Sequence, residues 1–143
     1  MTQANEKCIP YVVESTYGLE RLVLAVLFEA LTIEELDGGD KREVLMINSS
    51  LAPIKINVLP LIKKRHAEKA QEIYNELKKY FMVSYDDAGN IGRRYRRGDA
   101  IGTPYAVTID DATLEHCTVT VRERDTMQQV IIPVDELKSY LFC

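Results

Sequence analysis

The sequence predicts an α/β fold in which a mixed sheet has helices packed on it. Ile54, Ile56 and Val58 alternate with Lys55 and Asn57, the two-residue period of a strand. Ala67, Ala70, Ile73, Tyr74, Leu77 and Phe81 then recur at helical spacing, with Glu and Lys on the other face. Strand and helix alternate first, and later two strands follow each other directly. That order suits a mixed sheet better than a purely parallel one.

Each element has its own signal. Ile9 to Val13 is an apolar, strand-like run. From Leu19 the positions Leu22, Val23, Val26, Leu27 and Ala30 follow the helical pattern. Leu24, Ala25 and Phe28 fill much of the rest, so this helix is expected to be largely buried. The acid-rich segment Thr32 to Arg42 carries adjacent glycines and is expected to turn through solvent between domains, with the compact domain beginning near Val44. Pro60 is expected to interrupt the ladder of the first strand. A short strand at Met82 to Tyr85, a turn at Asp86 to Gly89 and an arginine-rich helix at Asn90 to Ala100 come next. Strands are expected at Pro104 to Ile109, Cys117 to Val121 and Val130 to Ile132, and a closing helix at Asp135 to Leu141.

Composition narrows the function. With 143 residues, 46% of them hydrophobic, the chain builds one ordinary core and at most a short appendage. A net charge of -4 argues against a histone-like cationic binder, and no DNA partner is expected, although a local basic patch is allowed. The longest apolar stretch, Leu22 to Phe28, is far short of a membrane span, and the polar Met1 to Lys7 start has no signal-peptide core. The protein is therefore expected in the cytoplasm, away from membranes. Cys8, Cys117 and Cys143 lie far apart with two histidines in the chain, which supports neither a disulfide framework nor a metal site.

Three segments carry candidate chemistry. In Ile9 to Arg21, IPYVVESTYGLER, a strand-like run ends in Glu14 and a helix opens with Arg21. The acid suits a substrate ammonium and the guanidinium a phosphate; alternatively the two form a structural ion pair. In Gly89 to Gly102, GNIGRRYRRGDAIG, Arg93, Arg94, Arg96 and Arg97 surround Tyr95. Guanidinium groups that grip phosphates beside a tyrosine that stacks on bases suit single-stranded RNA. Four arginines in five positions cannot share one helix face, and pairing with Asp86, Asp87 or Asp99 is the competing role. In Val119 to Val130, VTVRERDTMQQV, polar Arg122, Arg124, Asp125 and Gln128 run to a strand end, where binding groups and ion-paired hairpins both occur. GxSxG, HExxH and phosphate-loop motifs are absent.

Together, in order and spacing, these segments resemble glycyl-tRNA synthetase of the class II, single-polypeptide type. IPYVVESTYGLER resembles class II motif 3, and SLAPIKINVLPL the first strand of the anticodon-binding domain. YDDAGNIGRRYRRGDAIGTPYAVTID with TVTVRERDTMQQV resembles that domain's most characteristic stretches. The likeness spans roughly Ile9 to Leu141, and the long arginine segment running into IGTPYAVTID distinguishes the glycine enzymes from their histidine, proline and threonine relatives.

The resemblance implies a mixed, five-stranded anticodon-binding sheet over residues 44–143. It implies a catalytic-domain remnant and linker, with one strand and one helix, over 1–43. It implies that Arg21 contacts ATP, and that Glu14 and Thr16 face glycine, with Ser15 replacing a frequent proline. The implied anticodon-reading residues are Arg93, Arg94, Tyr95, Arg96, Arg97 and Asp99, then Arg122, Glu123, Arg124 and Gln128. The implied partner is tRNA(Gly), and the full-length enzyme, a homodimer, uses ATP with Mg2+. No catalytic set is complete in this chain and no cofactor is expected in it, so no glycine activation is expected from the polypeptide alone. Either docking against the anticodon-binding domain or self-association through Leu22, Val26 and Ala30 is expected of the helix at 19–31. The alternative is a free-standing homologue of the domain acting as an accessory or interaction module.

Overall fold

The computed structural model describes residues 9–36 and 38–142, so Cys8 and Cys143 and the Met1 to Lys7 start lie outside the described residues. Residues 9–18 have no regular secondary structure, so the apolar run at Ile9 to Val13 is not a strand. Helix α1 (Leu19–Ala30) leads into an antiparallel hairpin of β1 (Leu31–Glu35) and β2 (Lys41–Leu45). After it come β3 (Ile56–Pro60), α2 (Lys63–Leu77), β4 (Val83–Tyr85) and α3 (Ile91–Ala100). The chain closes with β5 (Tyr105–Ile109), α4 (Asp111–His116), β6 (Thr118–Glu123), β7 (Gln129–Pro133) and α5 (Val134–Phe142).

The main sheet has the order β4-β3-β5-β6-β7. β3 runs parallel to β4 and β5, while β5, β6 and β7 pair antiparallel. This is the expected five-stranded mixed sheet flanked by helices. All of β3 is buried, as a central parallel strand covered on both faces must be. Pro60 does not interrupt it: the proline is its last residue, in register with Ile109.

The alternation of each strand divides the sheet into two unlike faces. Ile56 and Val58, Val107 and Ile109, Val119 and Val121 point to the same side and form one core with Ala70, Ile73 and Leu77 of α2 and Leu137 of α5. Burying such a side chain is worth ~1.5–3 kcal/mol, so this face carries most of the stability. The other face presents Asn57, Thr108 and Arg122, and α3 lies over it. The Gly98 Cα sits where an added Cβ would be 3.5 Å from Asn57 Nδ2, and the Tyr95 hydroxyl meets Thr108 Oγ1 at 2.6 Å.

Three further expectations needed correction. The segment Thr32 to Arg42 is a hairpin and not an open connection. Gly38 and Gly39, at φ +96° and +80°, make the turn, and Thr32, Glu34, Arg42 and Val44 face inward from its strands. The strand placed at Cys117 starts at Thr118, because Cys117 is the left-handed C-cap of α4 at φ 54°. That short helix is held by Asp110, which accepts from the Thr113 N–H at 3.1 Å in a capping box. Finally, α1 buries only Ala30 among its residues. Its apolar side chains run all round the helix, and the described residues cover only its end.

Candidate nucleic-acid interface

Helix α3 carries the arginine cluster, and its seat on the sheet decides which arginines reach solvent. Asn90 caps its start, accepting from the Arg93 N–H at 2.9 Å. From there the helical period turns Arg94, Gly98 and Asp99 inward and Arg93, Arg96 and Arg97 outward.

The inward group is a polar core. Asp99, 2% exposed, takes the Arg122 guanidinium on both oxygens, at 3.0 and 3.2 Å, and Arg42 Nε from the hairpin at 2.9 Å. Arg42 continues to Glu34 at 2.7 Å and to the Arg124 carbonyl. Burial works against the Arg42 charge, yet Asp99 first and Glu34 second hold its pKa above the ordinary arginine value. Arg122 also lies 4.8 Å over the Tyr95 ring. Arg124 donates to the carbonyls of Gly102 and Ile47 at 2.8 and 2.9 Å, and Arg94 to those of Gly89 and Pro60. A buried guanidinium is tolerated only when its donors are used in this way. Arg94, Asp99, Arg122 and Arg124 therefore hold α3, the hairpin and β6 together. Tyr95 is half-buried beneath Arg122, with its hydroxyl engaged, and does not offer the free stacking face expected of it.

The outward group stands at one edge of the molecule. Arg93 is exposed, and its guanidinium has no acidic partner among the described residues. Arg97 binds Asp86 Oδ2 at 2.6 Å and the Ala88 carbonyl, and Arg96 pairs with Asp40. The neighbouring Arg96 holds the Asp40 carboxyl below the usual range. For Asp86, partial burial acts upward, but the Ala88 N–H and Arg97 outweigh it and lower the pKa. Glu123 is half-buried and accepts from the Thr126 hydroxyl at 2.6 Å, while Gln128 is exposed on the β6–β7 turn.

Sequence reasoning missed a second set of charges beside this edge. Lys63, Lys64 and Arg65 open α2 just past the end of β3 and are all exposed. Lys63 pairs with Asp87 at 2.9 Å, which raises the lysine pKa, and Arg65 pairs with Asp111 at 3.0 Å. The KK-R run was visible as helix surface, but only the parallel order β4-β3-β5 places it next to α3. The carboxyl ends of parallel strands are where open α/β sheets bind ligands. Here those ends carry Lys63 on Asp87, Arg65 on Asp111 and Arg97 on Asp86, with Lys64 and Arg93 exposed on the same two helices.

Glu14, Thr16 and Arg21 lie elsewhere, fully exposed on the segment leading into α1 and on its first turns. Among the described residues Glu14 and Arg21 form no ion pair with each other. The described residues contain no group of three His, Cys, Asp or Glu side chains that could hold a metal ion. These residues therefore do not by themselves fit a triphosphate with its Mg2+. Among the described residues no helix is long and apolar enough to cross a membrane.

Comparison with known proteins bears on the family and the fold. The family model described as "Anticodon binding domain" matches residues 50–142. The glycine–tRNA ligase of Clostridium tetani is 53% identical over 97% of the chain, and that of Geobacillus kaustophilus is 49% identical over 97%. The chain spans about three tenths of the length of these curated relatives: 30% in each case. Among solved structures, the RNA-binding domain of threonyl-tRNA synthetase from Cryptosporidium parvum aligns with a TM-score of 0.62. The alignment has 22% identity and covers 80% of this chain and 35% of that one, a likeness of fold.

Proposed function

The chain belongs to the anticodon-binding domain family, and from that premise we propose that it is the tRNA(Gly)-binding part of a glycine–tRNA ligase. What carries the reading is the 53% identity to such a ligase over 97% of the chain. The exposed cationic rim at the strand ends gives the reading a surface on which to act.

In the whole enzyme, glycine and ATP would give glycyl-adenylate with loss of pyrophosphate, and the terminal ribose of the tRNA would then take the glycyl group with loss of AMP. This chain contributes affinity and discrimination at the far end of the same tRNA, in a cytoplasmic homodimer. Residues 44–143 form the anticodon-binding domain and 1–43 the end of the catalytic part with its linker. The β1–β2 hairpin straddles that boundary, tied to α3 by Arg42. Arg21, Glu14 and Thr16 are the ATP- and glycine-facing residues of the larger site.

Within the domain, the buried and exposed candidates divide the work. Arg93, Arg96, Arg97, Glu123 and Gln128 are accessible to RNA, and Arg94, Tyr95, Asp99, Arg122 and Arg124 fix the surface that presents them. Guanidinium groups on a helix rim bind phosphates, and unstacked anticodon bases expose edges that strand-end polar groups read by hydrogen bonding.

Titration of the chain with tRNA(Gly), and with a version in which both central anticodon cytosines are replaced, tests this directly. Weaker binding of the altered tRNA, by roughly tenfold or more, is expected. Equal affinity overturns anticodon recognition.

A further inference from the structure

Two aspartates flank the end of β3 in matching positions. Asp87 lies two residues past the end of β4 and Asp111 two past the end of β5, and those strands are the parallel neighbours of β3 on either side. The first turn of α2 reaches both. Lys63 Nζ meets Asp87 Oδ2 at 2.9 Å, while Arg65 Nε and His66 Nε2 meet Asp111 Oδ1 at 3.0 and 2.8 Å. The His66 ring is buried, and its Nδ1 accepts from the Ile62 N–H at 3.0 Å, so Nε2 carries the proton given to Asp111. Each carboxylate is thus held through one oxygen. Among the described residues no protein donor reaches Asp87 Oδ1 or Asp111 Oδ2, and neither side chain is buried.

Asp86 uses one oxygen for Arg97 and the other for the Ala88 N–H, and Asp110 gives one oxygen to the cap of α4. Asp87 and Asp111 combine a fixed position with a free acceptor and a paired cation from the first turn of α2.

We propose that Asp87 and Asp111 are specificity-determining residues of the RNA site, each accepting from the exocyclic amino group of an unpaired cytosine. This deepens the RNA-binding reading and rests on it. An ionised carboxylate only accepts hydrogen bonds, so it attracts the cytosine N4 amino group and repels the O4 acceptor that uracil puts in the same place. The cations that hold the aspartates sharpen the choice. Lys63 and Arg65 are neutralised within the protein, so an RNA offering only phosphates must compete with a carboxylate for them. An RNA that also offers an amino group gives the carboxylate a new partner in exchange. The aspartates therefore favour the right base and penalise indiscriminate backbone binding, the two halves of specificity.

The test titrates the chain, Asp87→Asn and Asp111→Asn with two RNA stem-loops that differ only in the unpaired loop, all cytosine or all uracil. The asparagine oxygen at 111 still accepts from His66, and thermal midpoints near the parent's show that both variants are folded. The parent is expected to prefer the cytosine loop by at least about fivefold, the low end for one base-reading group. Each substitution should bring the ratio towards one, chiefly through tighter binding of the uracil loop as Lys63 or Arg65 is released. Equal binding of the two loops by the parent, or an unchanged ratio in both variants, overturns the assignment and leaves RNA binding standing. Binding of neither loop overturns RNA binding itself.

Discussion

Asp99 of α3 and Arg42 of β2, 57 residues apart in the chain, meet at 2.9 Å in a site where both are almost fully buried. The same carboxylate holds Arg122 on both its oxygens, so one negative charge offsets two guanidinium groups, with Glu34 as the second acid. Removing the shared charge leaves Arg122 without its acidic partner in the interior and Arg42 with Glu34 alone.

Asp99→Ala should therefore lower the unfolding free energy by ~3–5 kcal/mol, the usual result of breaking a buried ion pair from one side. Asp99→Asn, which keeps an acceptor oxygen, should lose less. Urea denaturation checks both, and a loss below ~1 kcal/mol for the alanine variant would mean that water replaces the carboxylate.

Arg93 and Arg94 are adjacent but should fail differently. Arg93→Ala should leave the thermal midpoint unchanged, weaken tRNA binding, and reduce the slope of log affinity against log salt by about one, as for one lost phosphate contact. Arg94→Ala strips the Pro60 and Gly89 carbonyls of their donor and should cost ~2–4 kcal/mol of stability. Salt-dependent titration beside thermal melts separates them, and identical behaviour would contradict the division into inner and outer faces.

Gly102 sits at φ +79°, and a Cβ there would be 2.8 Å from Ile47 Cγ2 and 3.1 Å from the Leu45 carbonyl oxygen. Backbone strain and a clash with the Ile47 methyl act together, so Gly102→Ala should destabilise by ~1–3 kcal/mol. Since Gly102 also gives its carbonyl to Arg124, circular dichroism melts of this variant should show early loss of the hairpin side of the molecule.

Acid should weaken the rim before it weakens the apolar core. The folded pKa of Asp86 lies below its ordinary 3.8, so its contribution is fully present above that pH and is lost as pH falls through the lower folded value. The stability gap between the parent and Asp86→Asn should accordingly be constant near neutrality and close below pH 3.8. A gap that widens on acidification would reverse the assigned sign.

The fold was largely legible because its signals are periodic. The alternation at Ile56 to Val58 and the helical stripe from Ala70 to Leu77 meet in one core. The hairpin was not legible, because acids and paired glycines at the turn resemble a linker and its partner surface is a helix 50 residues away. The arginine cluster announced itself by composition, but which members face water depends on the face of α3 that meets the sheet. Asn57 and Arg122, polar residues inside otherwise apolar strands, were the signal for a polar core beneath α3. Nothing in the sequence could show that Asp87 and Asp111 flank Lys63 to His66, since only the strand order brings them there.

The tether between Arg42 and Asp99 also sets an order of events. As the chain is made from its N-terminus, the hairpin and its internal Arg42–Glu34 pair are made before the other partners of Arg42. Asp99 follows 57 residues later, and Arg124, whose carbonyl takes the same guanidinium, 82 later. Until α3 has settled on the sheet, the inward arginine of the arm formed by α1 and the hairpin has only Glu34 of its own hairpin to hold it. Docking of that arm is thus a late, self-reporting step, completed only once the RNA-facing surface has been built.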